Sequence, residues 1–589
     1  MKSKHLGLPM LFFAVGCLLT AQPATAQDIS QIGKSDPLII TGAIGTNNTF
    51  FLSSQQGFGY ASPFSSTFYA SLNISLYGFS MPFSVYYASN NISFSHPTFS
   101  FNLNPSYKNW TLHFGESSMS YSNYVMSMPF NGLGLEYNGN NLRVGAFYGT
   151  LRKAINDDPE DPTARSPQYE RIGWGAKIGY GSSSSYVDVY FLRAEDRLSS
   201  LLDAWHTTVA AQEDVVVGLK SRFSLGKHFA VQANLAGTAF SDDITADTLK
   251  IEQLMRWDKI FTARYSSLAR FAGDVSMNMS VAGLNASLYY KLIQPQYKSL
   301  GVTYISNNMH CLGLSASTTL FKRISLSGNF SGQQDNLSKQ QLYTTEGFVY
   351  SAGMGFNLGS SFNLSLGYSG YRQLQTDGAA VIPDSIRANR IMHSFYVTPS
   401  LSINGDALSH SISPSFSWNL NQDLNPYTNQ NGSTDVKTLA AGLGYSLSLN
   451  DIETTISGNY SHQQSNGYGT NYKTDLVSIG TSRSFLADKN LDAAVNVNFV
   501  TNSVAGSNSD MSIGFDASVG YTLKEAHMFS FSAGYNKYTN INFMEMDEET
   551  GDPFSYRGYD LSMSLSYSYT FTLLQIKRRA KAEEAQGRM

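Results

Sequence analysis

The chain contains almost no cysteine: Cys17 and Cys311 are the two among its 589 residues. Cys17 lies within an N-terminal segment that has the features of a secretory leader, so Cys311 would stand alone in the mature protein. A single cysteine excludes an intramolecular disulfide and any metal site built from several thiolates. We therefore expect Cys311 to be a small residue within a strand.

Charged residues are scarce as well, at 14% of the chain, against roughly a quarter in ordinary soluble domains. Beyond residue 26 the sequence has no apolar run of ~18 residues, which excludes membrane-spanning helices. The net charge of -4 comes with no basic stripe, so we expect no nucleic-acid partner. What the chain has in abundance is aromatic residues and glycine, with 36 Tyr, 36 Phe and 49 Gly.

Residues 556–574 show how these abundant residues are used. Alternate positions form two rows, which is the period of a β-strand. One row is apolar and aromatic, and the other carries only small hydroxyl groups that could not fill a protein core. The apolar row must therefore meet something other than water, and lipid is the simplest candidate. The rows are Leu561, Met563, Leu565, Tyr567, Tyr569, Phe571 and Leu573 on one side, and Ser562, Ser564, Ser566, Ser568, Thr570 and Thr572 on the other.

The same alternation recurs along the chain, for example in residues 362–369, 511–521 and 529–536. Short and long connectors take turns between these segments, as in outer-membrane barrels with tight periplasmic turns and longer outer loops. The expected short connectors are residues 79–81, 138–141, 181–184, 226–227, 282–283, 321–322, 359–360, 405–406, 450–451, 487–489 and 524–526. The expected long connectors are residues 156–168, 195–213, 242–266, 294–308, 374–389, 423–434 and 542–554.

These patterns predict an all-β fold: a single-chain, transmembrane, antiparallel up-and-down β-barrel with long extracellular loops and short periplasmic turns. A lone strand in lipid would leave its backbone unpaired, so membrane strands occur only in closed barrels. We expect about 26 strands, within a range of about 22 to 26, with the first near residues 37–46.

The chain ends predict its location. Residues 1–26 have a basic start, an apolar run and the sequence Ala24-Thr25-Ala26, which is typical of a signal peptide. A lipoprotein cleavage box at residues 14–17 is the less favoured alternative, because the apolar run continues past Cys17. We expect a barrel over residues 27–576 and a charged periplasmic tail over residues 577–589. The protein would then be integral to a Gram-negative outer membrane, with both termini periplasmic.

Charged residues within the strands are candidate lining of the lumen, because a basic side chain facing lipid at the midplane costs ~2 to 4 kcal/mol. These charged residues could have a structural role, by pairing across the lumen, or could determine which solutes pass through it. A barrel of about 26 strands encloses a wide lumen, so we expect that its loops fold inward, that the barrel is flattened or that a partner fills the lumen. The candidates are Arg143, Lys177, Arg193, Lys220, Arg222, Asp274, Arg372 and Asp516.

Two long connectors have apolar residues at helical spacing. Leu198, Leu201, Leu202 and Trp205 predict a helix at the outer rim, and residues 249–260 are similarly amphipathic. We interpret such a helix as folded over the barrel mouth, with a ligand-gating lid as the alternative.

The sequence shows little that points to catalysis. Its ten histidines are scattered, and there is no nucleophile elbow, zinc-protease pair or nucleotide-binding glycine loop. We expect no enzyme, no cofactor and no dedicated metal site. The acidic clusters at residues 157–161 and 545–549 lack the spacing of a calcium loop.

Six stretches of the sequence carry a resemblance to known proteins: residues 81–87, 91–97, 107–110, 142–149, 297–301 and 330–337. Through them the chain resembles large outer-membrane barrels of Bacteroidota that have no assigned ligand. The resemblance covers nearly the whole mature chain and implies location and fold, without site residues.

The expected function is a conduit or receptor for solutes crossing the outer membrane. The first alternative is a structural or assembly component that binds other envelope proteins without transport. The second and less favoured alternative is an outer-membrane enzyme, a hydrolase or acyltransferase, which would need His and Ser or Asp side chains that meet at the rim. The expected partners are outer-membrane lipid and lipopolysaccharide, with an envelope lipoprotein or second barrel as a further candidate.

Overall fold

A computed structural model describes residues 38–576, except for gaps at 55–62, 78, 90–98, 158–159, 161–164, 207, 250–259, 487, 489, 505–506 and 547–552. The expected signal peptide and charged tail lie outside the described residues, as does most of the amphipathic stretch 249–260. Within the described residues, no helix is long and apolar enough to span a membrane.

The described chain is almost entirely β-strand. The strands are β1 Leu38–Ser53, β2 Phe64–Leu76, β3 Phe79–Ala88, β4 Phe99–Leu103, β5 Ser106–Tyr107, β6 Trp110–Ser117, β7 Phe130–Asn138, β8 Leu142–Arg152, β9 Arg171–Gly181, β10 Tyr186–Asp196, β11 Glu213–Leu225, β12 Phe229–Ser241, β13 Ser267–Val281, β14 Leu284–Ile293, β15 Met309–Leu320, β16 Ile324–Asp335, β17 Tyr343–Asn357, β18 Phe362–Asp377, β19 Asn389–Asn404, β20 Leu408–Asp423, β21 Val436–Leu449, β22 Thr454–Gly467, β23 Thr470–Phe485, β24 Leu491–Val504, β25 Ser507–Leu523, β26 His527–Met546 and β27 Pro553–Ile576.

Each strand pairs with its sequence neighbours in antiparallel fashion, and the sheet closes where β1 pairs with β27. The seam extends from Leu38 opposite Ile576 to Ser53 opposite Asp560. β4 and β5 are two pieces of one interrupted strand, because both lie between β3 and β6. The result is a closed antiparallel barrel of 26 strands, which confirms the predicted fold and the predicted strand number.

The two ends of the barrel differ. The first described residue, Leu38, the last, Ile576, and most of the short turns lie at one end, here called the short-turn end; the other is the long-loop end. Ala282 and Gly283 illustrate a short turn: both have positive φ, of 50° and 86°, as a two-residue type I′ hairpin requires.

The predicted connectors agree with the structure with three adjustments, one of which is that β18 runs to Asp377, so the loop expected at residues 374–389 begins later. The turn expected at residues 79–81 precedes β3, which already begins at Phe79. The loop expected at residues 542–554 is shorter, because β26 runs to Met546 and β27 begins at Pro553.

Paired residues share a face, so the alternation continues around the barrel. One face carries rows of exposed aromatic and aliphatic side chains, such as Trp174, Ile178 and Tyr180 on β9. On β8 to β13 the opposite face contacts one chain segment, residues 118–129, which can reach so many strands only from the concave side. The apolar rows therefore face outward, which makes the barrel an integral membrane protein with its apolar rows against lipid.

Candidate functional site: the inner segment and the polar wall

Residues 118–129, which connect β6 to β7, fold into the lumen at the long-loop end and are here called the inner segment. The segment has no regular secondary structure and is nonetheless among the most buried parts of the molecule. Val125 is completely buried, and Met126 is 2% exposed. Its apolar side chains therefore pack against the inner face of the barrel wall.

Glycines in the wall make room for this packing. Here Gly145, Gly175 and Gly218 of β8, β9 and β11 are called the glycine seat. A Cβ added at Gly145 would lie 2.6 Å from Met119 Cε, and one at Gly175 would lie 3.1 Å from the Tyr121 hydroxyl. A Cβ at Gly218 would collide with Val125 Cγ2. The absence of side chains at these three positions allows the inner segment to lie directly on the sheet.

Aromatic contacts fill the space next to the seat. The rings of Phe130 and Phe147 are stacked with their centroids 4.6 Å apart. The Tyr121 ring meets that of Phe147 edge to face, with the centroids 5.8 Å apart, and lies tilted against that of Tyr190, with the centroids 5.3 Å apart. Together with apolar residues of β10 to β14, including the fully buried Leu192, these rings form the main hydrophobic core. The barrel thus has its core inside the lumen, on one side only.

Side-chain hydrogen bonds fix the inner segment laterally. Ser122 Oγ donates to Asn234 Oδ1 at 2.6 Å, and the Tyr124 hydroxyl donates to Asp274 Oδ1 at 2.8 Å. Burial, together with the hydrogen bond to Asp274, raises the pKa of Tyr124. The hydroxyl of Tyr124 therefore remains protonated and keeps donating at neutral pH.

A second loop forms hydrogen bonds to the backbone of the inner segment. Residues 294–308, here called the clasp loop, connect β14 to β15. The Tyr297 hydroxyl donates to the carbonyl of Tyr124 at 2.8 Å, and Ser299 Oγ donates to that of Val125 at 2.6 Å. The clasp loop is itself tied to the wall, since the Leu300 amide donates to Asp214 Oδ2 at 2.7 Å.

A charged cluster lies beside the inner segment. Lys177 forms an ion pair with Glu136, which also lies 3.3 Å from His113 Nε2, and Lys177 Nζ reaches the carbonyl of Ser120 at 3.4 Å. Glu136 and Lys177 are buried. Next to them Arg143 pairs with Asp188 at 2.7 Å, around a cavity of about 160 Å3. The cluster therefore links the inner segment to the wall through charges that neutralise one another.

The structure places six of the eight predicted lining residues on the inner face. Arg143, Lys177 and Asp274 contact partners there as described above. The other three are Lys220, Arg222 and Asp516. Arg222 lines a cavity of about 620 Å3 between β11 and β17. Asp516 accepts a hydrogen bond from Asn498 Nδ2 at 3.2 Å.

Arg193 and Arg372 lie on the outer face, which corrects their assignment to the lumen. Arg193 shares its row with Val189 and Phe191, and it pairs with Glu195 at 2.8 Å. Arg372 shares its row with Tyr368 and lies opposite Phe348. The prediction applied to charges deep in the membrane, but both arginines lie towards the long-loop end, where the cost of a charge facing lipid falls to about 0 to 1 kcal/mol.

The inner rows of β16 to β27 carry no packed segment among the described residues, and we call them the polar wall. Hydroxyl and amide groups dominate these rows, and some bond to each other, as Asn496 Nδ2 does to Asn498 Oδ1 at 2.9 Å. The lumen therefore has an apolar, filled side and a hydrophilic side. Members of the polar wall include Ser327, Asn329, Ser351, Ser365, Ser457, Asn459, Ser478, Asn496, Asn498, Ser532 and Ser564.

The rim segment predicted as a helix is irregular instead. It forms two single 3₁₀ turns, Leu198–Ser200 and Asp203–Trp205. Leu201 packs with Tyr169 and Ala211, and Trp205 is partly buried beside them, whereas Leu198 and Leu202 are 38% and 48% exposed. A continuous helix is prevented because Leu202 is extended between the two turns and its amide donates to Asn156 Oδ1.

The described residues contain no group of three or more His, Cys, Asp or Glu side chains able to hold a metal ion. His462 hydrogen-bonds Asp475 at 2.8 Å, but both lie on the outer face opposite Ala441 and Thr501, without a serine partner in the pairing. This arrangement gives no support to hydrolytic chemistry.

Sequence reasoning missed the inner segment. Its run of Met119, Tyr121, Tyr124, Val125 and Met126 breaks the period of two while staying apolar, and that break was the available indication. The glycine seat was not recognisable, because glycine is frequent throughout the chain.

Comparison with protein-family models and with curated proteins finds no match. Among solved structures, the P pilus usher (PapC) translocation pore aligns at 11% identity over 91% of this chain and 100% of that chain, with a TM-score of 0.35. Acinetobacter baumannii OccAB2 aligns at 11% identity over 65% of this chain and 96% of that chain, with a TM-score of 0.29. Pseudomonas aeruginosa OpdK with vanillate aligns at 9% identity over 62% and 93%, with a TM-score of 0.30. At these values the likeness concerns barrel architecture alone.

Proposed function

We propose that the protein is an outer-membrane conduit for hydrophilic solutes, narrowed by its own inner segment. The observation that carries the proposal is the asymmetry of the lumen. One side is filled by the inner segment on its glycine seat, and the other is lined by the hydroxyl and amide groups of the polar wall. A solute that exchanges hydrogen bonds with water could exchange them with this wall as it passes.

The width of the barrel explains why such a segment would be needed. Strands about 4.8 Å apart and tilted about 40° would give a circular barrel of 26 strands a diameter on the order of 50 Å. An unobstructed hole of that size would leak, so a conduit of this width requires a constriction. The inner segment and clasp loop are buried on the inner wall and suit this role.

The proposal includes the orientation of the barrel in the outer membrane. Outer-membrane barrels keep short turns on the periplasmic side and longer loops outside, which would place both chain ends of this barrel in the periplasm. Surface proteolysis of intact cells tests the orientation: cleavage should occur within residues 378–388 at the long-loop end, and a tag at residue 589 should be protected.

Single-channel conductance of the purified full chain tests the constriction. Gly218→Leu would displace Val125 from the seat, so we expect larger and noisier currents than in the unsubstituted protein. Gly520→Leu is the matched control, since Gly520 lies on the inner face of β25 with nothing within 4 Å of an added Cβ. Large, stable currents in the unsubstituted protein would reject the constriction. No current from either Gly218→Leu or the unsubstituted protein would reject the conduit and favour a structural or assembly role.

A further inference from the structure

The outer face carries basic side chains in an unexpected place. On β18, β21, β23, β26 and β27 the outward rows contain Arg372, Lys437, Lys473, Lys537 and Arg557, here called the cation belt. All five are exposed. Each lies in one outward row with lipid-facing residues: Lys437 shares its row with Leu439 and Leu443, and Lys537 shares its row with Tyr535 and Phe531.

The five side chains lie at a similar height on the barrel. Each is ten to twelve residues along its hairpin from the nearest short turn. At about 3.3 Å per residue and a tilt of about 40°, this places them about 25 to 30 Å from the short-turn end. The apolar band of outer-membrane barrels is about 25 Å tall. The cation belt therefore lies where hydrocarbon gives way to lipid headgroups.

Four members form two closely spaced pairs. Lys537 lies opposite Tyr559, and Arg557 lies opposite Thr539, so the two cations are diagonal neighbours on adjacent strands, about 7 to 8 Å apart. Lys437 and Lys473 flank β22, opposite Asn466 and Gln464. Each pair is suitably spaced to hold one multivalent anion.

No ion pair among the described residues includes a member of the cation belt, although the charge of Lys473 acts on the carboxylate of Asp475 in the same outward row. Among the side chains that the structure describes, Glu346 and Asp475 are the acidic residues on nearby outward rows, and Asp475 is already hydrogen-bonded to His462 and Tyr460. The contrast is with the region of β10 to β13, where outward Arg193 pairs with Glu195, and the loop residues Arg197 and Arg264 pair with Glu170 and Glu213. One side of the outer surface is balanced, and the other carries five cations beside two carboxylates and therefore has an excess of positive charge.

We infer that the cation belt binds the phosphate groups of an anionic glycolipid of the outer leaflet, of the lipid A class. Charge-assisted bonds from Lys and Arg to phosphate are stronger than bonds between neutral groups, and the neighbouring apolar rows would receive the acyl chains. The inference rests on the orientation proposed above, in which the long-loop end lies at the outer leaflet. It extends beyond that proposal, since it concerns the outer surface and not the lumen.

Binding of phosphorylated lipid A to the full chain in neutral detergent tests the inference. Replacing all five cations by glutamine should weaken binding steeply, by about fivefold for each charge removed. Arg390→Gln is the matched control: Arg390 lies on β19 at the same end but on the inner face, opposite Gln373, and its loss should leave binding unchanged. Retained folding is checked by the shift in gel mobility on heating.

Three outcomes would overturn the assignment. Equal binding by the glutamine variant would remove the cation belt from the interaction. Equal binding of dephosphorylated lipid A would remove phosphate as the recognised group. Equally tight binding of phosphatidylglycerol would show a general anionic-lipid surface.

A variant with Lys437→Arg, Lys473→Arg and Lys537→Arg keeps the charge and should retain binding, so a failure of the glutamine variant to fold leaves the inference testable. Cell-surface proteolysis tests the orientation separately.

Discussion

At the scale of single residues, the lumen depends on buried polar groups that are satisfied by a few particular partners. Lys177 and Glu136 are both buried, and the ion pair between them is the contact that neutralises both charges. Tyr124 and Asp274 repeat the arrangement with a hydroxyl donor. Removing one partner from such a pair costs more than the pair contributes, because the remaining group stays buried without compensation.

Lys177→Met should therefore lower the free energy of unfolding by about 3 to 5 kcal/mol, since Glu136 would lose its ion-pair partner and keep only hydrogen bonds from His113 and Asn138. Denaturant unfolding in detergent measures the change. Lys220→Met, on the inner face of β11 and without a described ion pair, should stay within about 0.5 kcal/mol. An equal loss in both variants would show that the Lys177–Glu136 pair has no special role.

Tyr124→Phe should loosen the inner segment without unfolding the barrel, because Asp274 loses a hydrogen bond worth about 1 to 3 kcal/mol when left unpaired. In a Cys311→Ala background with Val125→Cys, the rate of maleimide labelling should rise on adding Tyr124→Phe. Tyr371→Phe, on the inner face of β18, is the control. An unchanged rate would mean that the hydroxyl does not hold the segment.

At the scale of elements, each strand has one apolar and one polar face, and this alternation in the sequence made the strands and the closed barrel predictable. The alternation of Phe515 and Asp516, or of Tyr567 and Ser568, fixes strand, register and face together. What escaped prediction depended on contacts between distant segments. The inner segment is defined by glycines on three other strands, and the rim segment around Leu201 and Trp205 breaks into short turns where Leu202 bonds to Asn156.

Two adjacent positions on β23 test directly which face of the sheet contacts lipid and which faces the lumen. Ile479 is 61% exposed and points to lipid, so Ile479→Arg should destabilise the protein in bilayers by about 2 to 4 kcal/mol. Ser478→Arg places the same charge one residue away on the polar wall and should cost far less. Equal costs from unfolding titrations in lipid vesicles would refute the assignment of the two faces.

At the scale of the whole molecule, a closed ring of 26 strands removes every sheet edge, as a membrane requires. Closure was foreseeable because strands without partners cannot persist in lipid. The asymmetry of the lumen was not, since occlusion by loops, flattening and a filling partner were equally compatible with the sequence. The contacts among residues 118–129, residues 294–308 and the wall favour occlusion by loops.

The seam between β1 and β27 provides a test of closure. Thr49 lies opposite Ser564 on the inner face, within the distance that a disulfide spans between paired strands. Thr49→Cys with Ser564→Cys, in a Cys311→Ala background, should oxidise to a covalently closed ring that runs differently on a denaturing gel. Free thiols in the folded protein would indicate an open seam.

The most direct test of the account is a disulfide between the inner segment and its wall. Ser122 and Asn234 have side-chain atoms 2.6 Å apart, so Ser122→Cys with Asn234→Cys in the Cys311→Ala background should cross-link almost completely in membranes. The account predicts no cross-link for Ser122→Cys with Asn498→Cys, which lies on the polar wall. Equal cross-linking at both positions, or none at Asn234, would contradict a seated inner segment and the conduit built around it.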